Sequence, residues 1–167
     1  MTYIINFNSE YQIRSATLAD VDKLKWSDSD LKGSYYKEKW QQKEQGKLDM
    51  YVAIINEFPV AYIWLDWTKF AENNTGEISS FEVLTPFRSK GIGKIMMAEM
   101  ENILLEKDLK TSQTGFNKEN LRAGKLYEKL GYKIVGDRQS SGIYSLSNGE
   151  NINYFEDCWV MTKDLSR

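Results

Sequence analysis

A 167-residue chain without a single histidine cannot assemble a Ser-His-Asp or Cys-His-Asp triad, nor a histidine-based zinc or non-haem iron centre. Hydrophobic residues at 41% and charged residues at 28% mark a globular rather than disordered chain, and a net charge of −2 gives no overall basic field for nucleic acid. No apolar run nears the ~20 residues of a membrane span and no signal-like start is visible, so one cytoplasmic domain over residues 1–167, without membrane, nucleic-acid or metal partners, is expected.

Tyr11 to Ser15 reads as a short opening strand, and Thr17-Leu18-Ala19-Asp20 as a helix start with Val21, Leu24 and Trp26 towards one face. Leu31 to Gln45 predicts a second helix, carrying Tyr35, Tyr36 and Trp40. Met50 to Ile55 and Val60 to Trp67 are β-rich runs joined as a hairpin around Asn56-Glu57-Phe58-Pro59. Lys69 to Gly76 is polar and turn-like, and Glu77 to Leu84 is the next strand. Gly91 to Lys107 sets Ile92, Met96, Met100 and Ile103 at steps of four, four and three, an amphipathic stripe.

Thr111 to Phe116 reads as a strand. The following helix carries Ala123, Leu126, Tyr127 and Leu130 on one stripe and stops at Gly131, a left-handed cap. Tyr132 to Val135 and Asn153 to Thr162 supply the last strands; within the second, the lone Cys158 reads as a buried residue without a disulfide partner. This order makes a mixed α/β chain with one central sheet.

The segment Pro86-Phe87-Arg88-Ser89-Lys90-Gly91-Ile92-Gly93 links a strand to a helix. A glycine turn entering a helix leaves backbone N–H groups unpaired and aimed at one point, where the helix dipole favours negative charge. With Arg88 and Lys90 beside it, such a turn suits a phosphate or pyrophosphate; a solvated basic loop is the bland reading of the same residues. Spacing rejects two familiar phosphate loops. A Walker loop needs Gly-Lys-Ser/Thr, and Gly93 is followed by Lys94-Ile95. A dinucleotide fingerprint needs a third small residue where Met96 stands.

The run Arg88-Ser89-Lys90-Gly91-Ile92-Gly93 resembles Arg/Gln-x-x-Gly-x-Gly/Ala, the acyl-CoA signature of the GNAT superfamily of N-acetyltransferases. Asn120-Leu121-Arg122-Ala123-Gly124-Lys125-Leu126-Tyr127-Glu128-Lys129-Leu130-Gly131-Tyr132 is similar to that superfamily's Asn-x-x-Ala-x-x-x-Tyr-x-x-x-Gly-Phe/Tyr element. The resemblance is strong from about Gly76 to Gly136 and weak before Met50. It implies an α/β (α+β) fold with a mixed, mostly antiparallel sheet of about seven strands and about four helices. It also implies acetyl-CoA as co-substrate and direct transfer of its acetyl group to a primary amine in a ternary complex. The alternative is a GNAT-fold module that binds CoA or a protein without turnover. A homodimer is left open.

On this resemblance, the backbone amides of Ser89, Lys90, Gly91, Ile92, Gly93 and Lys94 would hold the pyrophosphate, with Arg88 and Lys90 as charge partners. Gly91 and Gly93 would let the ligand approach the backbone. Glu82, Val83 and Leu84 would meet the pantetheine arm through their main chain. Asn120 would contact the cofactor arm or cap its helix, roles that can coexist. Tyr127 would protonate the departing thiolate, although a tyrosine on an apolar stripe also packs well.

An attacking amine must be neutral, and holding a lysine-like amine deprotonated at pH 7 costs about 4.6 kcal/mol, so a base is expected. Glu77 is favoured over Glu82 as that base, directly or through water, because it lies eleven residues before Arg88, where the resemblance implies a catalytic glutamate on the same strand; a plain strand-end carboxylate is its bland reading. Strict alternation sets Glu77, Ser79, Phe81 and Val83 on one face and Glu82 on the other; a β-bulge would swap that parity downstream. For the acceptor, a small-molecule or peptide amine, Trp26, Tyr35, Tyr36, Trp40, Trp64 and Trp67 with Asp66 and Glu72 could cradle a cation, or the rings could fill the core.

Overall fold

The computed structural model describes residues 10–27 and 29–166. Its strands are β1 (Gln12–Ser15), β2 (Leu48–Ile55), β3 (Phe58–Phe70), β4 (Thr75–Val83), β5 (Thr111–Asn117), β6 (Lys133–Ser145) and β7 (Asn151–Asp164). The helices are α1 (Leu18–Lys23), α2 (Ser34–Glu44), α3 (Ile92–Glu106) and α4 (Leu121–Lys129), with short 3₁₀ turns at Ala71–Asn73 and Thr85–Phe87. The strands form one sheet in the order β1-β2-β3-β4-β5-β7-β6. Every neighbouring pair is antiparallel except β4 and β5, which α3 joins in parallel.

Alternation along β2 and β3 builds two apolar layers. Met50, Val52, Tyr62 and Trp64 face α1 and α2, where Val21, Leu24, Leu31 and Tyr36 join them. Ala53, Ala61, Ile63 and Leu65 face the other way, towards Ile92, Met96, Met97, Met100 and Leu104 of α3. The expected α3 stripe is thus the buried one, with Ile103 at its half-buried margin. Gly124 lets α4 lie directly on β5, because a Cβ there would stand 2.7 Å from the Phe116 ring.

The parallel pair governs the site. Thr75, Gly76, Glu77 and Ile78 are in register with Thr111 to Thr114, and there the pairing stops. β4 runs on to Val83 and β5 to Asn117 without each other, so the two strands part and open the sheet.

Several element boundaries moved. α2 starts after Gly33, which is its N-cap, so Leu31 is buried in the preceding loop rather than in the helix. The stretch Lys69 to Gly76 is more ordered than a turn, since β3 reaches Phe70 and β4 begins at Thr75. The ladder is nevertheless interrupted there: Asp66 Oδ1 accepts from the amides of Thr68 and Lys69, and register resumes only at Phe70 opposite Thr75. β6 is far longer than Tyr132 to Val135, because the polar run through Ser141 pairs with β7 while mostly exposed. Cys158 is on β7 as expected but half-buried, not buried.

Candidate active site

The glycine turn follows from local rules. Pro86 occupies the first turn of the 3₁₀ segment, and the amides of Phe87 and Arg88 bond back to the carbonyls of Leu84 and Thr85. The chain then reverses through two left-handed residues, Ser89 at φ +62° and Gly91 at φ +87°. Gly91 is glycine for that backbone angle, with no atom within 4 Å of the place a Cβ would take. It is also the N-cap of α3, and no side chain caps this end. The amides of Ile92, Gly93 and Lys94 therefore have no partner in their own helix, the first such bond being Ile95 N–H to Gly91 C=O at 3.2 Å. At Gly93 a Cβ would stand 3.4–3.5 Å from Phe81 and Leu126, an ordinary contact distance, so this glycine also packs against the apolar side of the cleft that it lines.

This turn opens on a cleft of about 1010 Å³ between the end of β4 and α4. Of the residues expected to hold the cofactor, Glu82, Val83, Arg88, Ser89, Gly91, Gly93, Lys94, Asn120 and Tyr127 all line it. Lys90 is exposed outside it, and Ile92 turns its side chain into the core. Leu84 lies outside too, with its amide given to Val60 C=O and its carbonyl taken by Phe87 N–H, both at 2.8 Å. Arg88 donates from Nε to the Val83 carbonyl at 2.7 Å, which ties the turn to the end of β4. Asn120 caps α4 by accepting from Ala123 N–H at 3.2 Å while also facing the cleft.

Sequence reasoning missed the opposite wall. Arg122, Lys125 and Lys129 of α4 line the cleft, and with Arg88 and Lys94 they set five cations, among the described residues, against one lining carboxylate, Glu82. Their spacing of three and four along a helix was a visible signal. A locally basic cleft in a chain of net charge −2 suits a polyanion such as a CoA diphosphate.

Tyr127 sits at the floor, 5% exposed, its ring 6.2 Å from Phe116 and 5.9 Å from Tyr132. Burial pushes its phenol above the ordinary value, so it carries its proton at neutral pH.

The two candidate bases are separated by a bulge. Glu77 and Ser79 stand opposite Asp66 and Trp64, whereas Glu82 stands opposite Tyr62, with the register shifting between. Ser80, at φ +48°, is the residue where the extra length is absorbed. Asp66, Trp64 and Tyr62 alternate on β3, so the bulge turns Glu82 onto the same face as Glu77 and Ser79, as parity reversal requires.

Their surroundings differ. Glu77 is 7% exposed, accepts from Lys69 Nζ at 2.7 Å and Arg138 Nη1 at 3.1 Å, and does not line the cleft. Glu82 does line it, and its Oε2 accepts from Ser27 Oγ at 2.6 Å and the Tyr62 hydroxyl at 3.0 Å. Nearby, Lys39 of α2 donates to Ser79 Oγ at 3.0 Å beside the Tyr35 and Trp64 rings, and burial pushes its pKa down to about 8.

Of the aromatics considered for an acceptor cradle, Tyr36 and Trp64 are core, and Trp26 and Trp40 pack against it. Trp67 donates to Gly46 C=O beneath Lys107, and Tyr35 remains exposed. Asp66 serves the β3 interruption, Glu72 is exposed, and none of these eight side chains lines the cleft.

The comparisons agree with this geometry. The sequence model of the acetyltransferase (GNAT) family matches residues 15–132, and the chain belongs to that family, whose co-substrate is acetyl-CoA. Among solved structures, an N-acetyltransferase from Staphylococcus aureus Mu50 superposes with a TM-score of 0.71 at 19% identity, covering 95% of this chain and 100% of that one. The ribosomal-protein-S18-alanine N-acetyltransferase of Escherichia coli gives 0.68 at 14% identity, covering 95% and 96%. A GNAT family acetyltransferase from Elizabethkingia anophelis, solved with acetyl-CoA bound, gives 0.63 at 20% identity, covering 93% and 98%. No curated protein sequence matches the chain. The seven-stranded mixed sheet with four helices is the GNAT fold. Among the described residues no helix is long and apolar enough to cross a membrane, and no cluster of His, Cys, Asp and Glu could hold a metal.

Proposed function

We propose that this protein transfers the acetyl group of acetyl-CoA to a primary amine by direct attack, with Glu82 as general base and Tyr127 as general acid. One observation carries the reading: Glu82 and Tyr127 line the same cleft as the unpaired amides of α3 and the basic wall of α4. Bound there, acetyl-CoA supplies an activated acyl carbon and a thiolate leaving group. Ile92, Gly93 and Lys94 would offer N–H donors to its diphosphate, and Arg122, Lys125 and Lys129 would add charge.

Glu82 takes the proton that an alkylammonium must lose before its nitrogen can attack, directly or through one water. Tyr127 gives its phenolic proton to the departing sulfur, which its burial suits by keeping it protonated at neutral pH. Glu77 is the poorer candidate, since both of its oxygens are already taken by cations, Lys69 and Arg138, and it does not line the cleft.

The test is acetylation of a panel of aminoglycosides, polyamines, amino acids and peptides, followed by free-thiol release. At least one amine should be turned over, and Glu82→Gln should lower that turnover about 10²-fold or more while acetyl-CoA still raises the melting temperature. A chain that binds acetyl-CoA yet acetylates nothing would be a binding module instead.

A further inference from the structure

Glu82 is held by two neutral hydroxyls. Ser27 Oγ at 2.6 Å and the Tyr62 hydroxyl at 3.0 Å both lie within donating distance of Oε2, and an ionised carboxylate can accept from each. The two hydroxyls also lie 3.1 Å from one another, closing a triangle of oxygens around Oε2. Among the described residues, the hydrogen bonds onto this carboxylate all end on Oε2, which leaves Oε1 for the cleft.

Both hydroxyls are themselves anchored. Tyr62 is 1% exposed on β3, and burial pushes its phenol far up, so it remains a donor. Ser27 Oγ accepts from Ser29 N–H at 3.0 Å. Upstream, Trp26 Nε1 donates to Pro59 C=O at 2.9 Å. Downstream, Asp30 Oδ2 accepts from Ser147 N–H at 2.6 Å and Ser34 Oγ from Ser145 N–H at 3.0 Å, which pins the segment to the β6–β7 hairpin.

We propose that Ser27 and Tyr62 are positioning residues: by fixing Oε2 they present the Oε1 lone pair of Glu82 to the acceptor amine, and they make the segment between α1 and α2 part of the base. This rests on Glu82 being the base. In the step they serve, an ammonium N–H bond breaks, its electron pair stays on nitrogen, and the proton passes to Oε1. The segment that borders the cleft through Ser29 thus also sets the geometry of proton removal.

Among the described residues, the charged and titratable groups around Glu82 are Tyr62 of β3, Tyr36 of α2 beside Tyr62, Arg88 beyond β4, Lys94 of α3 across the cleft, and Lys39 of α2 on Ser79. Arg122, Lys125 and Lys129 share the cleft from α4. Lys39 titrates near pH 8, on the alkaline side, so direct titration of the Glu82 carboxyl is what assigns an acid limb.

The experiment measures kcat and kcat/KM against pH for Ser27→Ala and Tyr62→Phe, using acetyl-CoA and the panel amine turned over fastest. In parallel, the Glu82 side-chain carboxyl is titrated by ¹³C NMR in the free protein, which needs no acceptor. Removing a donor from the ionised form raises a carboxyl pKa, so the acid limb and the NMR titration should both move up by about one unit. kcat at neutral pH should fall about tenfold, with KM for acetyl-CoA unchanged, and Ser27→Thr should restore the parent profile. Tyr62 is buried and its variant can unfold, so Ser27→Ala, on a half-buried loop, decides. Ser27→Ala with the parent limb and the parent NMR titration overturns the proposal. Glu82→Gln separates the two levels: if it keeps the parent rate, the base assignment fails and this inference with it. If it loses that rate while Ser27→Ala is unchanged, only the positioning role fails.

Discussion

β4 carries two carboxylates five residues apart that share a face and nothing else. Glu77, before the bulge, is clamped between Lys69 and Arg138 beneath the sheet surface. Glu82, after it, is held by two hydroxyls at the edge of a cleft. The first has both oxygens taken by cations and lies off the cleft, so it serves the fold. The second lines the cleft and, among the described residues, has hydrogen bonds on one oxygen alone, the placement a proton acceptor needs. The protein places the first kind where β4 and β5 are still paired and the second where they have parted.

The largest effect expected from this contrast is Glu82→Gln, which should lower kcat about 10²-fold or more with acetyl-CoA affinity intact. Glu77→Gln should change kcat only a few-fold and instead reduce stability by about 1–3 kcal/mol, seen in urea unfolding, since two partners lose their counter-charge. Exchange of those two outcomes would reverse the assignment.

Tyr127→Phe should follow, slowing turnover about 10²-fold while leaving the acetyl-CoA-induced melting shift unchanged. Equal loss of rate and affinity would mark Tyr127 as packing. Gly91→Ala comes next: a left-handed alanine costs about 1 kcal/mol, and the turn should relax away from its amide geometry. Isothermal titration should show weaker acetyl-CoA binding with the amine KM unaltered.

The smallest effect concerns a third carboxylate of the cation-held kind. Asp20 accepts from both terminal nitrogens of Arg14 at 2.7 and 2.9 Å and closes the N-terminal capping box of α1. The Arg14 guanidinium, with Thr17, holds its pKa down to about 2. A folded pKa below the unfolded one means stability present above about pH 4 and lost as pH falls towards 2, worth about 2 kcal/mol. Asp20→Asn should remove that acid-limb slope from denaturation curves without changing kcat at neutral pH.

How legible was this in the sequence? The glycine turn, the α3 stripe and the Asn120-to-Tyr132 element are contiguous, and each is governed by contacts within a few residues. Their positions were therefore readable, and most residues named from them line one cleft. β6 was not, because its polar residues have no alternation and the strand exists through pairing with β7. Nor were the Ser27 and Tyr62 contacts to Glu82, which join positions 55 and 20 residues apart. The base preference moved from Glu77 to Glu82 for the same reason, since neither Arg138, 61 residues away, nor the bulge at Ser80 is a local property of β4.

By itself the sequence determined the family, the order of elements and the turn that opens on the cleft, because hydrophobic period, glycine placement and helix capping act over one or two turns of chain. Only the tertiary structure decided which carboxylate meets the cleft and which is locked away. That choice depends on a single left-handed residue in β4 and on which distant side chains, charged or neutral, arrive beside each carboxylate once the sheet is assembled.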